Sequence, residues 1–177
     1  MNYHGTTIIA VKRDGKTVLA GDGQVTAGER IVVKSNAVKV RRIYNSEVVV
    51  GFAGGTADAF NLTEKFEKML HKYSGNLLRA AVELAQLWRG DKMLKELQAQ
   101  MIVANKDNML YVSGVGDVIE AENDILEIGS GGSYAKAAAL ALMQNTNLSA
   151  REIAKKAIEI AGSICIFTNG NITIEEV

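Results

Sequence analysis

Apolar and polar positions change their period several times along the chain, and each change predicts an element. Residues 7–12 run Thr-Ile-Ile-Ala-Val-Lys, meet Asp14-Gly15, and continue as Thr17-Val18-Leu19-Ala20. An Asp-Gly pair between two β-branched, apolar runs is a strong hairpin signal. Two antiparallel strands are therefore expected, the second ending at Gly21-Asp22-Gly23. Further strands are expected around residues 30–33 and 38–43. A fifth, over 47–53, carries three consecutive valines, which predicts burial on both faces. The period then lengthens. Ala59, Leu62, Phe66, Leu70 and Tyr73 recur at three- and four-residue steps, predicting an amphipathic helix that opens near Thr56 and stops at Gly75.

Asn76 is placed to cap a second helix reaching about Gln98, with Leu78, Val82, Ala85 and Met93 among its apolar positions. Strands return over 101–104 and 109–112, with shorter ones near 118–120 and 124–128. An alanine-rich helix follows Gly132. Ser149 and Glu152 form a capping box for the last helix, which is expected to end near Gly162. Residues 163–168 and 172–175, flanking Asn169-Gly170-Asn171, read as a closing hairpin. Strands grouped apart from helices argue against a doubly wound sheet and for an α+β fold with helices layered on antiparallel sheets. The pattern shows one domain and no short repeat.

Composition narrows the partners. The chain has 177 residues, 47% hydrophobic and 23% charged, as in an ordinary globular domain. Its formal net charge is zero. The basic excess of a nucleic-acid binder is missing, and nothing points to an anionic membrane. Low net charge also offers little repulsion against self-association. Cys165 is the single cysteine, so no internal disulfide forms, as suits a reducing compartment. With His4 and His71 alone beside it, no zinc-type ligand set can be assembled. Met-Asn-Tyr-His-Gly lacks the basic and apolar regions of a signal peptide, and no apolar run approaches the ~20 residues that span a bilayer. A cytoplasmic protein is expected.

Five short features carry candidate chemistry: Gly5-Thr6-Thr7-Ile8, Gly21-Asp22-Gly23-Gln24, Lys39 within Val38-Lys39-Val40-Arg41-Arg42, Gly51-Phe52-Ala53-Gly54-Gly55-Thr56-Ala57-Asp58, and Gly129-Ser130-Gly131-Gly132. Singly, each has an ordinary explanation. Threonine favours strands, Asp22 between glycines suits a turn, Lys39 suits a solvated edge, and glycines before a helix relieve crowding. In this order they resemble the bacterial HslV (ClpQ) family of ATP-dependent proteases, relatives of proteasome β-subunits. Ala81–Ala85 (Ala-Val-Glu-Leu-Ala), Ile128–Gly132 and Leu148–Ala154 extend the resemblance over essentially the whole chain.

That resemblance implies the four-layer αββα sandwich of N-terminal-nucleophile hydrolases and a threonine peptidase with Thr6 as nucleophile. A threonine hydroxyl needs a base, and a free α-amine on the same residue can serve, with a reference pKa of about 7.7–8.0 near the operating pH. Inside the chain the Thr6 nitrogen is tied up in the Gly5 peptide bond. Met1–Gly5 must therefore be removed, by self-cleavage or by another protease, whereas family members beginning Met-Thr-Thr need only lose methionine. By the same resemblance Lys39 favours the alkoxide, Asp22 holds Lys39, Gly51 offers its N–H to the oxyanion, and Ser130 assists the amine or a shuttling water. Thr7 is the rival nucleophile, expected to point the other way along the strand. A sodium ion is implied near the last helix, held by the carbonyls of Gly162, Cys165 and Thr168, since hard cations take oxygen ligands.

The partners implied are a homo-oligomer of two stacked hexamers, capped by the hexameric ATPase HslU (ClpY), which activates the peptidase allosterically and feeds it unfolded protein. Three other readings compete. A nucleotide site is weakened because Gly51-Phe52-Ala53 lacks the second glycine of G-x-G-x-x-G, Gly129-x-Gly131 is followed by Tyr134, and no Gly-Lys-Ser/Thr occurs. A non-catalytic ring subunit would be expected to have lost Thr6, Lys39 or Asp22. A different N-terminal-nucleophile hydrolase would keep fold and nucleophile but change substrate and partner.

Overall fold

The computed structural model describes residues 3–28, 30–91 and 99–177. Strands β2 (Thr7–Arg13) and β3 (Lys16–Gly21) form the expected hairpin through Asp14-Gly15, with Ile8 opposite Gly21 and Arg13 opposite Lys16. They are the centre of a four-stranded sheet, ordered β11-β2-β3-β12, with β11 over Ile125–Gly129 and β12 over Thr173–Glu176. A second sheet, ordered β10-β9-β8-β7-β6, comprises β6 (Val40–Ile43), β7 (Val48–Ala53), β8 (Gln100–Ala104), β9 (Met109–Ser113) and β10 (Val118–Glu120). Every pairing in both sheets is antiparallel. The helices are α1 (Thr56–Lys72), α2 (Leu77–Gly90), α3 (Gly132–Asn145) and α4 (Ala150–Ile164).

Alternation of side chains along the strands builds four layers from these parts. On β2 and β3, Ile9, Val11, Val18 and Ala20 pack against α3 and α4, where Ala135, Ala139, Ala154, Ala157 and Ala161 let helix and sheet approach closely. Their neighbours Ile8, Ala10 and Leu19 face the other way and meet Val49, Ile102 and Ala104 of the second sheet. On β7 and β8, Val48, Val50, Phe52, Met101 and Val103 turn outward to Leu62, Phe66, Leu70, Leu84 and Trp88 of α1 and α2. The result is helices, sheet, sheet, helices. A fully buried Ile, Leu or Phe side chain contributes about 1.5–3 kcal/mol, and each of the three interfaces holds several. The fifth expected strand is buried from Val48 to Ala53, because β7 is covered by the helices on one face and by β2 and β3 on the other.

The helix caps follow the sequence. Asn76 accepts from the Arg79 N–H, and Ser149 with Glu152 forms both halves of the capping box. Two expectations change. Residues 163–168 form no strand: Ser163 and Ile164 complete α4, Cys165 caps it, and the Thr168 N–H turns back to the Cys165 carbonyl at 3.1 Å. The apolar alternation there misleads because Ile164 and Ile166 are solvent-exposed. There is consequently no closing hairpin, and β12 pairs with the free edge of β3, Thr173 opposite Gly21. The second helix is described to Gly90, with Asp91 as its C-cap, and its expected continuation through Met93 to Gln98 lies outside the described residues. Two short strands were not expected from the pattern, β1 (Tyr3–His4) and β4 (Val25–Ala27); with β5 (Ile31–Lys34) they make a third sheet, ordered β1-β4-β5.

Candidate active site

The hairpin register that pairs Ile8 with Gly21 carries the chain one step further, so that Asp22 lies beside Thr7 and Thr6. The Asp22 N–H donates to the Thr7 carbonyl at 3.1 Å, and the Thr7 N–H donates to Asp22 Oδ1 at 2.8 Å. The carboxylate is fully buried, and Oδ2 also accepts from the N–H groups of Gln24 (2.8 Å) and Asn169 (3.3 Å). Lys39 arrives from the β5–β6 loop with its side chain only 7% exposed. Its Nζ donates to Asp22 Oδ1 at 2.8 Å, to the Gly5 carbonyl at 2.8 Å and to the Gln24 carbonyl at 2.5 Å. An ammonium has three donors, so all are used. Burial is the larger influence on Lys39 and pulls its pKa below the ordinary lysine value, while the charge and hydrogen bond of Asp22 oppose that fall.

Thr6 stands immediately before β2 and is buried, with Oγ1 donating to the Gly5 carbonyl at 2.7 Å. One carbonyl oxygen thus takes hydrogen bonds from both the Thr6 hydroxyl and the Lys39 ammonium. Thr7 is occupied elsewhere. Its Oγ1 shares a hydrogen bond with Thr168 Oγ1 at 2.6 Å and accepts the Gly131 N–H at 3.0 Å. The rival threonine is thereby turned away from Lys39 and held as a packing residue.

Gly129-Ser130-Gly131 wraps over the two threonines. A methyl on Gly129 would lie 2.0 Å from the Thr6 carbonyl oxygen, and φ at Gly129 is +88°. Gly129→Ala is expected to cost more than about 2 kcal/mol, from the clash and the strained backbone together. A denaturation midpoint equal to that of the unaltered protein would refute this packing. Ser130 itself is exposed on the turn beside the threonines.

Gly51 needs a correction. It lies within the β7 ladder, opposite Val40 of β6 and Ile102 of β8. The next residue, Phe52, donates its N–H to the Lys39 carbonyl at 3.1 Å. Successive amides of a strand point to opposite sides, so the Gly51 N–H is turned towards β8 and is committed to the sheet. The first backbone N–H groups beyond the β7 ladder are those of Gly54 and of Gly55, the N-cap of α1. The end of β7 lies beside the Thr6 turn, because Gln100 pairs with Ala53 and its Oε1 accepts the Gly129 N–H at 3.4 Å.

The three residues suggested for a cation meet at the C-terminal end of α4. A methyl on Gly162 would come 3.6 Å from the Thr168 carbonyl oxygen, and the Cys165 carbonyl faces the Thr168 N–H. The last carbonyls of a helix lack helical partners and carry the negative end of its dipole. Such a donor set fits a hard monovalent cation, and the Cys165 thiol is not required. Among the described residues, no group of three or more His, Cys, Asp or Glu is placed to hold a metal.

With this geometry in view, comparison with known proteins is decisive. The family model described as "Proteasome subunit" matches residues 2–177. The ATP-dependent protease subunit HslV of Treponema denticola is 64% identical, the match covering 97% of this chain and 96% of that protein. The HslV subunit of Ligilactobacillus salivarius is 63% identical over 97% of this chain and 98% of its own. The chain belongs to the HslV branch of the proteasome family. The crystal structure of eukaryotic HslV from Trypanosoma brucei superposes with a TM-score of 0.92 at 48% identity, covering 96% of this chain and 98% of that one. Thiobacillus denitrificans BPH, solved in complex with epoxomicin, shares the fold at a TM-score of 0.77 and 19% identity, with 97% of each chain covered.

HslV-type sequence patterns brought Thr6, Asp22 and Lys39 together, and Gln24, Gln100 and Asn169 escaped them. Gln24 holds Lys39 through a backbone carbonyl and donates its Nε2 to the Ile166 carbonyl at 2.8 Å. Its position in Gly-Asp-Gly-Gln was the available signal. Gln100 sits outside every glycine-rich feature and gave none, and Asn169-Gly170 signalled only a turn.

Proposed function

We propose that the chain is the proteolytic subunit of an ATP-dependent protease, a threonine peptidase that acts once Met1–Gly5 is removed. The observation that carries this reading is the shared grip of Thr6 Oγ1 and Lys39 Nζ on the Gly5 carbonyl, with Asp22 behind Lys39. Attack of Thr6 Oγ1 on the Gly5 carbonyl carbon forms an ester as the carbon–nitrogen bond breaks, and the nitrogen leaves as the Thr6 α-amine. Water then hydrolyses the ester. Lys39, already bonded to that carbonyl oxygen, stabilises the negative charge it develops. Loss of Gly5 releases one of the three Lys39 donors, which becomes available to Thr6 Oγ1.

In the mature enzyme the α-amine takes the hydroxyl proton, Lys39 favours the alkoxide, and Ser130 assists proton movement at the amine. Backbone N–H groups at Gly54 and Gly55 take the oxyanion role first sought at Gly51, a task worth roughly 10²–10³ in rate per donor. The carbonyls of Gly162, Cys165 and Thr168 would hold a sodium ion, which would supply positive charge at the end of α4. Exchange of sodium for tetramethylammonium, too large for such a site, is expected to lower the thermal midpoint and to be reversed by sodium. Two hexameric rings enclose the sites, HslU (ClpY) caps them, activates them and delivers unfolded protein, and the assembly works in the cytoplasm. No helix among the described residues is long and apolar enough to cross a membrane.

Intact-mass measurement of purified protein tests this reading. The expected species begins at Thr6 and hydrolyses unfolded polypeptide when HslU and ATP are added. Full-length protein with undiminished peptidase activity would sink it.

A further inference from the structure

We propose that Asn169 is a positioning residue for the peptidase reaction, joining the turn that bears Asp22 to the loop that delivers Lys39. The inference rests on the role given to Thr6, Asp22 and Lys39 above. Three segments without regular structure converge on this point: residues 22–24 after β3, residues 35–39 before β6, and residues 165–172 after α4. Their closest approach is at Gly23. A methyl there would fall 2.5 Å from the Ser35 carbonyl oxygen, 2.9 Å from Asn36 Cα and 3.1 Å from the Asn171 carbonyl oxygen.

The Asn169 amide uses each of its ends on a different segment. Oδ1 accepts the Gly23 N–H at 3.1 Å, Nδ2 donates to the Ser35 carbonyl at 2.8 Å, and the backbone N–H of Asn169 donates to Asp22 Oδ2 at 3.3 Å. A local Asx turn explains only the bond from the Asn171 N–H to Oδ1, at 3.1 Å. The Gly23 and Ser35 partners lie 146 and 134 positions away in sequence, so the side chain serves a tertiary junction. Lys39 follows Ser35 by four residues and must bring Nζ to Asp22 across the gap between the two loops. The two loops also share a backbone bond, from the Ala37 N–H to the Gly23 carbonyl at 2.9 Å. Without the Asn169 amide, that bond and those of Lys39 itself must hold the Asp22 turn to the loop, and the Gly23 N–H loses its tie to Ser35. Asn171 Nδ2 also donates to the Ser35 carbonyl, at 2.7 Å, but the side chain makes no described bond to the Asp22 turn. It is the internal control.

A loosened junction weakens the hold of Asp22 on Lys39 without altering Thr6, Asp22 or Lys39 themselves. Asp22 is the charged side chain bonded to Lys39 Nζ, beside the neutral carbonyls of Gly5 and Gln24. After processing, the Thr6 α-amine is the other titrating neighbour. Loss of carboxylate contact leaves burial less opposed, so Lys39 gives up its proton at lower pH.

The test uses the processed, assembled enzyme with HslU and ATP, and compares Asn169→Ala, Asn169→Asp and Asn171→Ala by kcat, KM, pH profile and thermal midpoint. Asn169→Ala is expected to lower kcat about tenfold, as losing hydrogen bonds around a charged pair does, with KM within about twofold. Its alkaline limb moves to lower pH. Asn171→Ala stays within about twofold in both constants. Asn169→Asp keeps the acceptor for the Gly23 N–H but sets an oxygen in place of the Nδ2 donor to the Ser35 carbonyl, so the tie to Ser35 is lost and kcat falls by a similar factor at nearly unchanged side-chain size. This variant decides the matter if Asn169→Ala fails to fold. Unchanged kcat and pH profile in Asn169→Ala, equal losses in Asn169→Ala and Asn171→Ala, or an unchanged kcat in Asn169→Asp would overturn the proposal. Failure of the underlying reading shows separately, as an unaltered protein whose activity does not depend on Thr6.

Discussion

Thr6→Ala is expected to keep Met1–Gly5, or at least Asn2–Gly5, and to hydrolyse no peptide, while folding as before. The two losses have one cause. In the proposed mechanism Thr6 Oγ1 attacks the Gly5 carbonyl during maturation and the substrate carbonyl afterwards, and alanine has no oxygen to offer in either step. Removal of the nucleophile from a serine hydrolase site lowers kcat by roughly 10⁶, so turnover should vanish into background. Stability should scarcely move. The hydroxyl makes its described hydrogen bond to the adjacent Gly5 carbonyl, and such a bond contributes about 0.5–1.5 kcal/mol. That carbonyl also keeps its bond from Lys39. Intact mass reads the leader, peptide hydrolysis reads the chemistry, and a thermal melt reads the fold. A Thr6→Ala protein that loses its leader cleanly at Thr6 would assign maturation to a separate protease. One that still turns over peptide would remove Thr6 from the mechanism. Thr7 offers no substitute nucleophile, because Thr168 and Gly131 already hold its hydroxyl.

The layers of this fold were legible because period and burial agree. Ile8 to Val11 alternate between two cores, and the valines of β7 are buried on both sides, so apolar spacing carried real geometric content. Legibility failed where burial and period part company. Residues 163–168 look like a strand, yet Ile164 and Ile166 are exposed and the helix dictates the path. β1 and β4 are too short to show any period. In the site, Thr6, Asp22 and Lys39 were legible from their motifs. Gly51 was misassigned because glycine identity says nothing about which way an amide points; the ladder decides that, through the Phe52 bond to Lys39. Asn169 acts across distances in sequence that no local pattern encodes.

Lys39→Ala carries the second large expectation, loss of turnover by at least about 10³ without unfolding. The stability half is not obvious, because removing one partner of a buried ion pair commonly costs about 3–5 kcal/mol. Here Asp22 keeps three backbone donors, from Thr7, Gln24 and Asn169. The stranded charge remains hydrogen-bonded, so the loss should fall at or below the low end of that range. Burial of the lysine was itself unfavourable, which offsets part of the cost. Because Lys39 also holds the Gly5 carbonyl, the variant should retain its leader, and retention alone would silence the enzyme. Production of Lys39→Ala with Thr6 freed by cleavage of an engineered fusion separates the two effects, and the freed form should still be inactive.

The unaltered enzyme makes the same point through pH. With its folded-state pKa below the ordinary lysine value of about 10.4, Lys39 sheds its proton in the folded protein before it would in the unfolded chain. Over that window the unfolded state binds more protons, so this group's contribution to stability rises with pH. Activity that depends on the ammonium falls over the same window. Alkaline inactivation should therefore precede unfolding and reverse on neutralisation. Undiminished turnover in the freed Lys39→Ala protein would show that the positive charge beside Thr6 is not needed for the reaction.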